Sequence, residues 1–224
     1  MFKTKLSESR ALSKFYTSDL MNRDVGAIAA LILISLLSSL SGTPIHHTIS
    51  NFWEGFLWGL ADPVISLDCL VGIVAIGLLS SVFVRGAVIT GCFVLAAVLG
   101  IVIHTFQLNL PGTEIAFAIS TIVFGTMLMM PNQPNFMVLA LVGVSAGLFQ
   151  GYADASSIIG AGMMPLVAYI LGITLTLFAV AMSARKIGGA IGMGEINRIF
   201  QAKIRIAGFS FCAIGIVFLR NSIT

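Results

Sequence analysis

Six long apolar runs, separated by short polar or proline-bearing breaks, organise the chain beyond its first sixty residues. They cover roughly residues 63–84, 86–106, 112–130, 135–153, 163–184 and 204–219. A bilayer core about 30 Å thick takes about 20 apolar residues to cross as a helix. The runs are continuous rather than alternating, which argues for helices and against strands. Lipid offers the backbone no hydrogen bonds, so a segment that satisfies its own is selected. The prolines agree: Pro63, Pro111, Pro131 and Pro134 lie at the edges of runs, and Pro165 falls in a first turn. Those are positions where proline can open or follow a helix. The linkers 107–111 and 131–134 are short, so the helices they join should be antiparallel neighbours. The expected fold is all-α: a polytopic transmembrane helix bundle of six spans plus an N-terminal signal or anchor helix, hence seven if that helix is retained.

The N-terminal region reads in two ways. Residues 1–24 form a polar arm with Lys3, Lys5, Arg10, Lys14 and Arg23. Residues 25–42 hold a short apolar stretch followed by small residues, which fits either a signal peptide or an anchor helix. The rest divides into an outer segment at 43–62, a five-span core at 63–184, a basic loop at 185–203 and a last span with its tail at 204–224. Positions 188–205 mix Ile196, Ile199, Phe200 and Ile204 with Arg198, Lys203 and Arg205, as in a short amphipathic piece on a membrane surface.

Composition removes most function classes. Of 224 residues, 58% are hydrophobic and 9% charged, with a mean hydropathy of +1.03. A soluble domain carries about 25% charged residues. The formal charge of +3 is scattered along the chain, which excludes nucleic acid as a partner. Cys69, Cys92 and Cys212 form no CxxC pair, so neither a disulfide framework nor a structural zinc site is expected. No phosphate-binding GxxxxGK[ST] and no HExxH occur, so the chain reads as no enzyme and as holding no tightly bound cofactor.

Charge also sets direction. Cytoplasmic loops are enriched in Lys and Arg. With the N-terminus cytoplasmic, the five basic residues of the arm, Arg85, Arg185, Lys186, Arg198, Lys203 and Arg205 all fall inside, and Arg220 alone falls outside. In that frame His46, His47 and Glu54 belong to the outer segment. Asp62 stands at the mouth of the first run, with Asp68 and Cys69 about two turns deeper. His104 ends the second run, Glu114 begins the third, and Gln150 and Asp154 share one face near the end of the fourth, being i and i+4. These donors crowd the outer third of the bilayer with no Lys or Arg among them. An intramembrane carboxylate without a basic partner suggests a cation pathway. Asp68 is the sharpest case. Asp62 before Pro63 would also serve as a helix cap, and Glu114 would suit a helix N-terminus. Gly143, Gly147 and Gly151 form a ladder that lets another helix approach closely.

Three stretches resemble a known family. Residues 51–69 contain Asp62-Pro63 and Asp68-Cys69, similar to the His-Pro-x-x-Gly-x-Asp-His motif of the HupE/UreJ nickel/cobalt permeases. Leu110-Pro111-Gly112-Thr113-Glu114 is similar to that family's Leu-Pro-x-x-Glu. Phe149-Gln150-Gly151-Tyr152-Ala153 is similar to its Phe-His-Gly-x-Ala. The resemblance spans about 50–184 and looks cyanobacterial in type, implying a bacterial plasma membrane or a thylakoid. Several family histidines are replaced: Asp62, Cys69 and Gln150 stand at histidine positions, and Ser66 at a glycine. Imidazole suits nickel, whereas carboxylate and carbonyl oxygens suit harder ions.

Two readings follow. In one, the protein is a secondary transporter whose substrate is a divalent metal cation, with Asp68, Asp62, Cys69, Glu114, Gln150, Asp154, His46, His47 and His104 as candidate metal-ligating residues. In the other, transport is lost and the chain is an integral accessory or assembly subunit of a larger membrane complex. The expected partners are the lipid bilayer, a divalent cation, and a larger membrane complex or further copies of the chain.

Overall fold

The computed structural model describes residues 23–38, 49–108, 110, 112–130, 134–158, 162–192 and 197–223. His46, His47 and the polar arm up to residue 22 lie outside the described residues, as do residues 39–48. Every regular element among the described residues is helical. They are α1 (23–38), α2 (Phe52–Ile65), α3 (Leu67–Ser80), α4 (Gly86–Thr105), α5 (Thr113–Met129), α6 (Phe136–Asp154), α7 (Met163–Gly192) and α8 (Asn197–Ile223), with one 3₁₀ turn at Ala155–Ile158. Helices α4, α6 and α7 are long and apolar enough to cross a membrane. The pair α2–α3 adds a fourth crossing if it counts as one span, and α5 is a shorter apolar helix.

The first apolar run differs from its expected form. The helix begins at Phe52 rather than at Pro63, because residues 50–54 build their own cap. The Asn51 side chain accepts from the Glu54 N–H at 3.1 Å, and Glu54 Oε2 accepts from the Ser50 N–H at 3.0 Å. This reciprocal exchange satisfies N-terminal donors. Asp62 and Pro63 therefore lie inside α2, whose N-cap is Asn51 rather than Asp62. Proline removes a helical N–H and strains the turn before it. The helix ends two residues later, Ser66 turns extended, and α3 sets off at 77°. One carbonyl exposed at the break, that of Ile65, accepts from the Ser35 hydroxyl of α1 at 3.2 Å.

Helix α3 is the central element, with eleven of its fourteen residues buried. Around it the helices pair through small residues. On α6, Gly147 faces Phe93 of α4 and Gly151 faces Ala97, so α4 and α6 run parallel. Gly59 faces Tyr169 and Gly77 faces Ala181, so the α2–α3 pair runs parallel to α7. Gly125 faces Gly208 while Gly215 faces Ile122, so α5 and α8 are antiparallel. Leu95 and Leu99 of α4, Leu141 of α6, and Leu171 and Leu175 of α7 point outward. A helix apolar on its outer face as well as its inner one is suited to lipid.

Helix α7 also runs on beyond its expected end, through Arg185 and Lys186 to Gly192. No proline interrupts it there. The Arg185 guanidinium donates to the carbonyls of Phe83 and Val84 at 3.2 and 3.3 Å, tying α7 to the turn after α3.

Candidate functional site

The break at Ser66 delivers an acidic helix start into the bundle. Asp68 occupies the first turn of α3 and is half-buried. The first N–H groups of a helix have no helical partner and carry partial positive charge, so they suit an anion. Asp68 and Cys69 thus begin a helix of their own, rather than continuing deeper on the helix that bears Asp62.

Across from this start lies the last turn of α6. The Cys69 thiol donates to Asp154 Oδ1 at 2.9 Å. One turn back along α6 stands Gln150, 1% exposed. Its Oε1 fits against Gly72 of α3, where a Cβ would lie 3.4 Å from it. The seam between α3 and α6 therefore carries Asp68, Cys69 and Gly72 on one side and Gln150 and Asp154 on the other. Asp62 and Asp68 both lie within electrostatic reach of Cys69 and Asp154.

Asp62 is 5% exposed and held from α7. The hydroxyl of Tyr169, itself fully buried, donates to Asp62 Oδ2 at 3.0 Å and lies 3.5 Å from the Asp154 carbonyl. Tyr169 thus joins α2, α6 and α7 at the level of the seam. It is six residues into α7, about 9 Å from that helix's start at 1.5 Å per residue. It was missed in the sequence, although one signal for it was present. A phenol in the middle of an apolar run needs a hydrogen-bond partner when buried, and Asp62 provides it.

Five expected residues are brought together: Asp62, Asp68, Cys69, Gln150 and Asp154. Two are not. Glu114 is exposed in the first turn of α5. His104 stacks edge-on against Tyr152 with ring centroids 4.7 Å apart. Among the described residues, no three His, Cys, Asp or Glu side chains are gathered closely enough to hold a metal ion. In this arrangement the Cys69 thiol is tied to Asp154 Oδ1 and the Tyr169 hydroxyl to Asp62 Oδ2, so each of these bonds engages one oxygen of its carboxylate.

The family model described as HupE / UreJ protein matches the chain over residues 32–218. No curated protein and no solved structure matches it.

Proposed function

The chain belongs to the HupE/UreJ family, and on that premise we propose that it works as a secondary permease for a divalent metal cation. The family is one of metal-transport membrane proteins, and the apolar helices α4, α6 and α7 fit that setting. The observation that carries the reading is the meeting of the acidic start of α3 with the last turn of α6. Discontinuous helices whose broken ends face the interior are a recurring device of transporter binding sites. They place unsatisfied backbone groups where an ion can use them.

Seven alternating crossings account for the packing: α1, the α2–α3 pair, and α4 to α8. The parallel and antiparallel pairings agree with such alternation. The turn around Arg85, the end of α5 and the end of α7 then share one side. Three hydrogen bonds support this: Arg185 donates to the carbonyls of Phe83 and Val84, and Arg205 Nε donates to the Met129 carbonyl at 3.3 Å. That basic side is cytoplasmic by the positive-inside rule. The seam of acidic groups then faces outward. A divalent ion enters there, exchanges part of its water for the carboxylates, and is drawn inward by the potential. The driving force is about 2.3 kcal/mol per charge per 100 mV.

The test is divalent-metal uptake by cells carrying wild-type or Asp68→Asn protein at matched membrane abundance. The variant keeps the shape and removes the charge, so uptake falls to background while the protein stays in the membrane. Normal uptake by Asp68→Asn refutes the reading.

A further inference from the structure

Gln150 bears on which ion the seam accepts. Both atoms of its carboxamide, Oε1 and Nε2, lack a hydrogen-bond partner among the described residues, although the side chain is 1% exposed. A buried amide left in that state is costly, so one that persists points to a ligand. The amide lies in the seam, against the notch left by Gly72 and one helical turn from Asp154.

The surrounding chemistry narrows that ligand. A carboxamide offers a hard neutral oxygen and an N–H₂ donor. The neighbouring soft atom, the Cys69 sulfur, is the donor of a hydrogen bond to Asp154 Oδ1. The described imidazole, that of His104, stacks on Tyr152. Tyr152 is two residues from Gln150, about 200° around α6 and so on its far side. Among the described residues, the donors that remain on the seam are oxygens, from Gln150, Asp68 and Asp154.

We propose that the seam takes a hard, oxygen-seeking divalent cation, of the class of Mn²⁺ or Mg²⁺, in preference to Ni²⁺. Gln150 Oε1 serves as a neutral ligand, and Nε2 donates to a carboxylate oxygen that shares the ion. Oxygen donors suit such ions, whereas imidazole suits nickel. The assignment rests on the transport reading above and adds the class of ion.

The experiment uses the purified full chain in proteoliposomes, with Mn²⁺ and Ni²⁺ as probes, alone and in competition. Wild type favours Mn²⁺, and Gln150→His moves the Mn²⁺-to-Ni²⁺ ratio toward nickel by at least about tenfold, within the range that changes around a metal site produce. A wild type that favours Ni²⁺ overturns the assignment, and so does a transporting Gln150→His protein with an unchanged ratio. If Gln150→His does not reach the membrane, the wild-type ratio alone decides. Uptake of neither ion by wild type removes the transport reading itself, and this assignment falls with it. Nickel-preferring uptake removes this assignment alone.

Discussion

At the residue scale, the seam depends on buried polar groups that answer one another. Tyr169 is fully buried, and its hydroxyl holds Asp62. Tyr169→Phe removes the donor and keeps the ring. Loss of one partner of a buried hydrogen bond costs about 1–3 kcal/mol. The expected outcome is a lower thermal midpoint in detergent, measured by intrinsic fluorescence, with the protein still inserted in the membrane. Much of this scale was legible in the sequence. Asp68, Cys69, Gln150 and Asp154 stood out as polar positions in apolar runs, and the i,i+4 spacing put the last two on one face. The partnership of Asp62 with Tyr169 was not legible. It joins positions 107 residues apart, and no local pattern records such a pairing. His104 and Glu114 looked equivalent to the others because depth along a helix is readable, whereas azimuth toward a given neighbour is not.

At the element scale, two features decide the architecture: a break and a set of close approaches. The break at Ser66 was hidden because Pro63 sits where a helix start and a helix interruption look alike. The capping exchange around Asn51 moves the start eleven residues upstream, and Pro63 then acts from inside α2. The glycine ladder, by contrast, was legible, because a four-residue spacing of glycine in a span means helix contact whatever the partner. Its partner is α4. A Cβ at Gly147 would collide with the backbone carbonyl of Phe93, whereas one at Gly91 meets nothing within 4 Å. Gly147→Val should therefore force α4 and α6 apart and leave little folded protein in the membrane. Gly91→Ala should be neutral or slightly stabilising, since glycine in a helix interior costs about 0.5–1 kcal/mol relative to alanine. Size-exclusion profiles of the two purified variants make the comparison. Equal behaviour would contradict the close packing of α4 on α6.

At the scale of the whole molecule, α4 runs parallel to α6 and the α2–α3 pair parallel to α7, while α5 and α8 are antiparallel. The apolar runs were enough to anticipate an all-helical fold. They could not reveal which helices pack together, since each run is apolar on every side. The parallel pairing of the α2–α3 pair with α7 puts Ser50 and Arg85 at opposite ends of the bundle. Both residues are exposed. A membrane-impermeant maleimide should label Ser50→Cys in intact cells and Arg85→Cys only after permeabilisation. Labelling in the reverse order would invert the topology and move the acidic seam to the cytoplasmic side.

The site stands or falls with one contact, that of the acidic start of α3 against the last turn of α6. The Cys69 thiol reaches Asp154 Oδ1 at 2.9 Å, so Asp154→Cys puts a second thiol across the same contact. A disulfide there requires the two Cα atoms to lie within about 7 Å of each other. Mild oxidation of the Asp154→Cys protein in membranes, followed by peptide mass analysis, is the most direct measurement. A linked pair of peptides containing positions 69 and 154 is expected, with Cys92 and Cys212 remaining alkylatable. Separate, fully alkylated peptides at both positions after oxidation would contradict it.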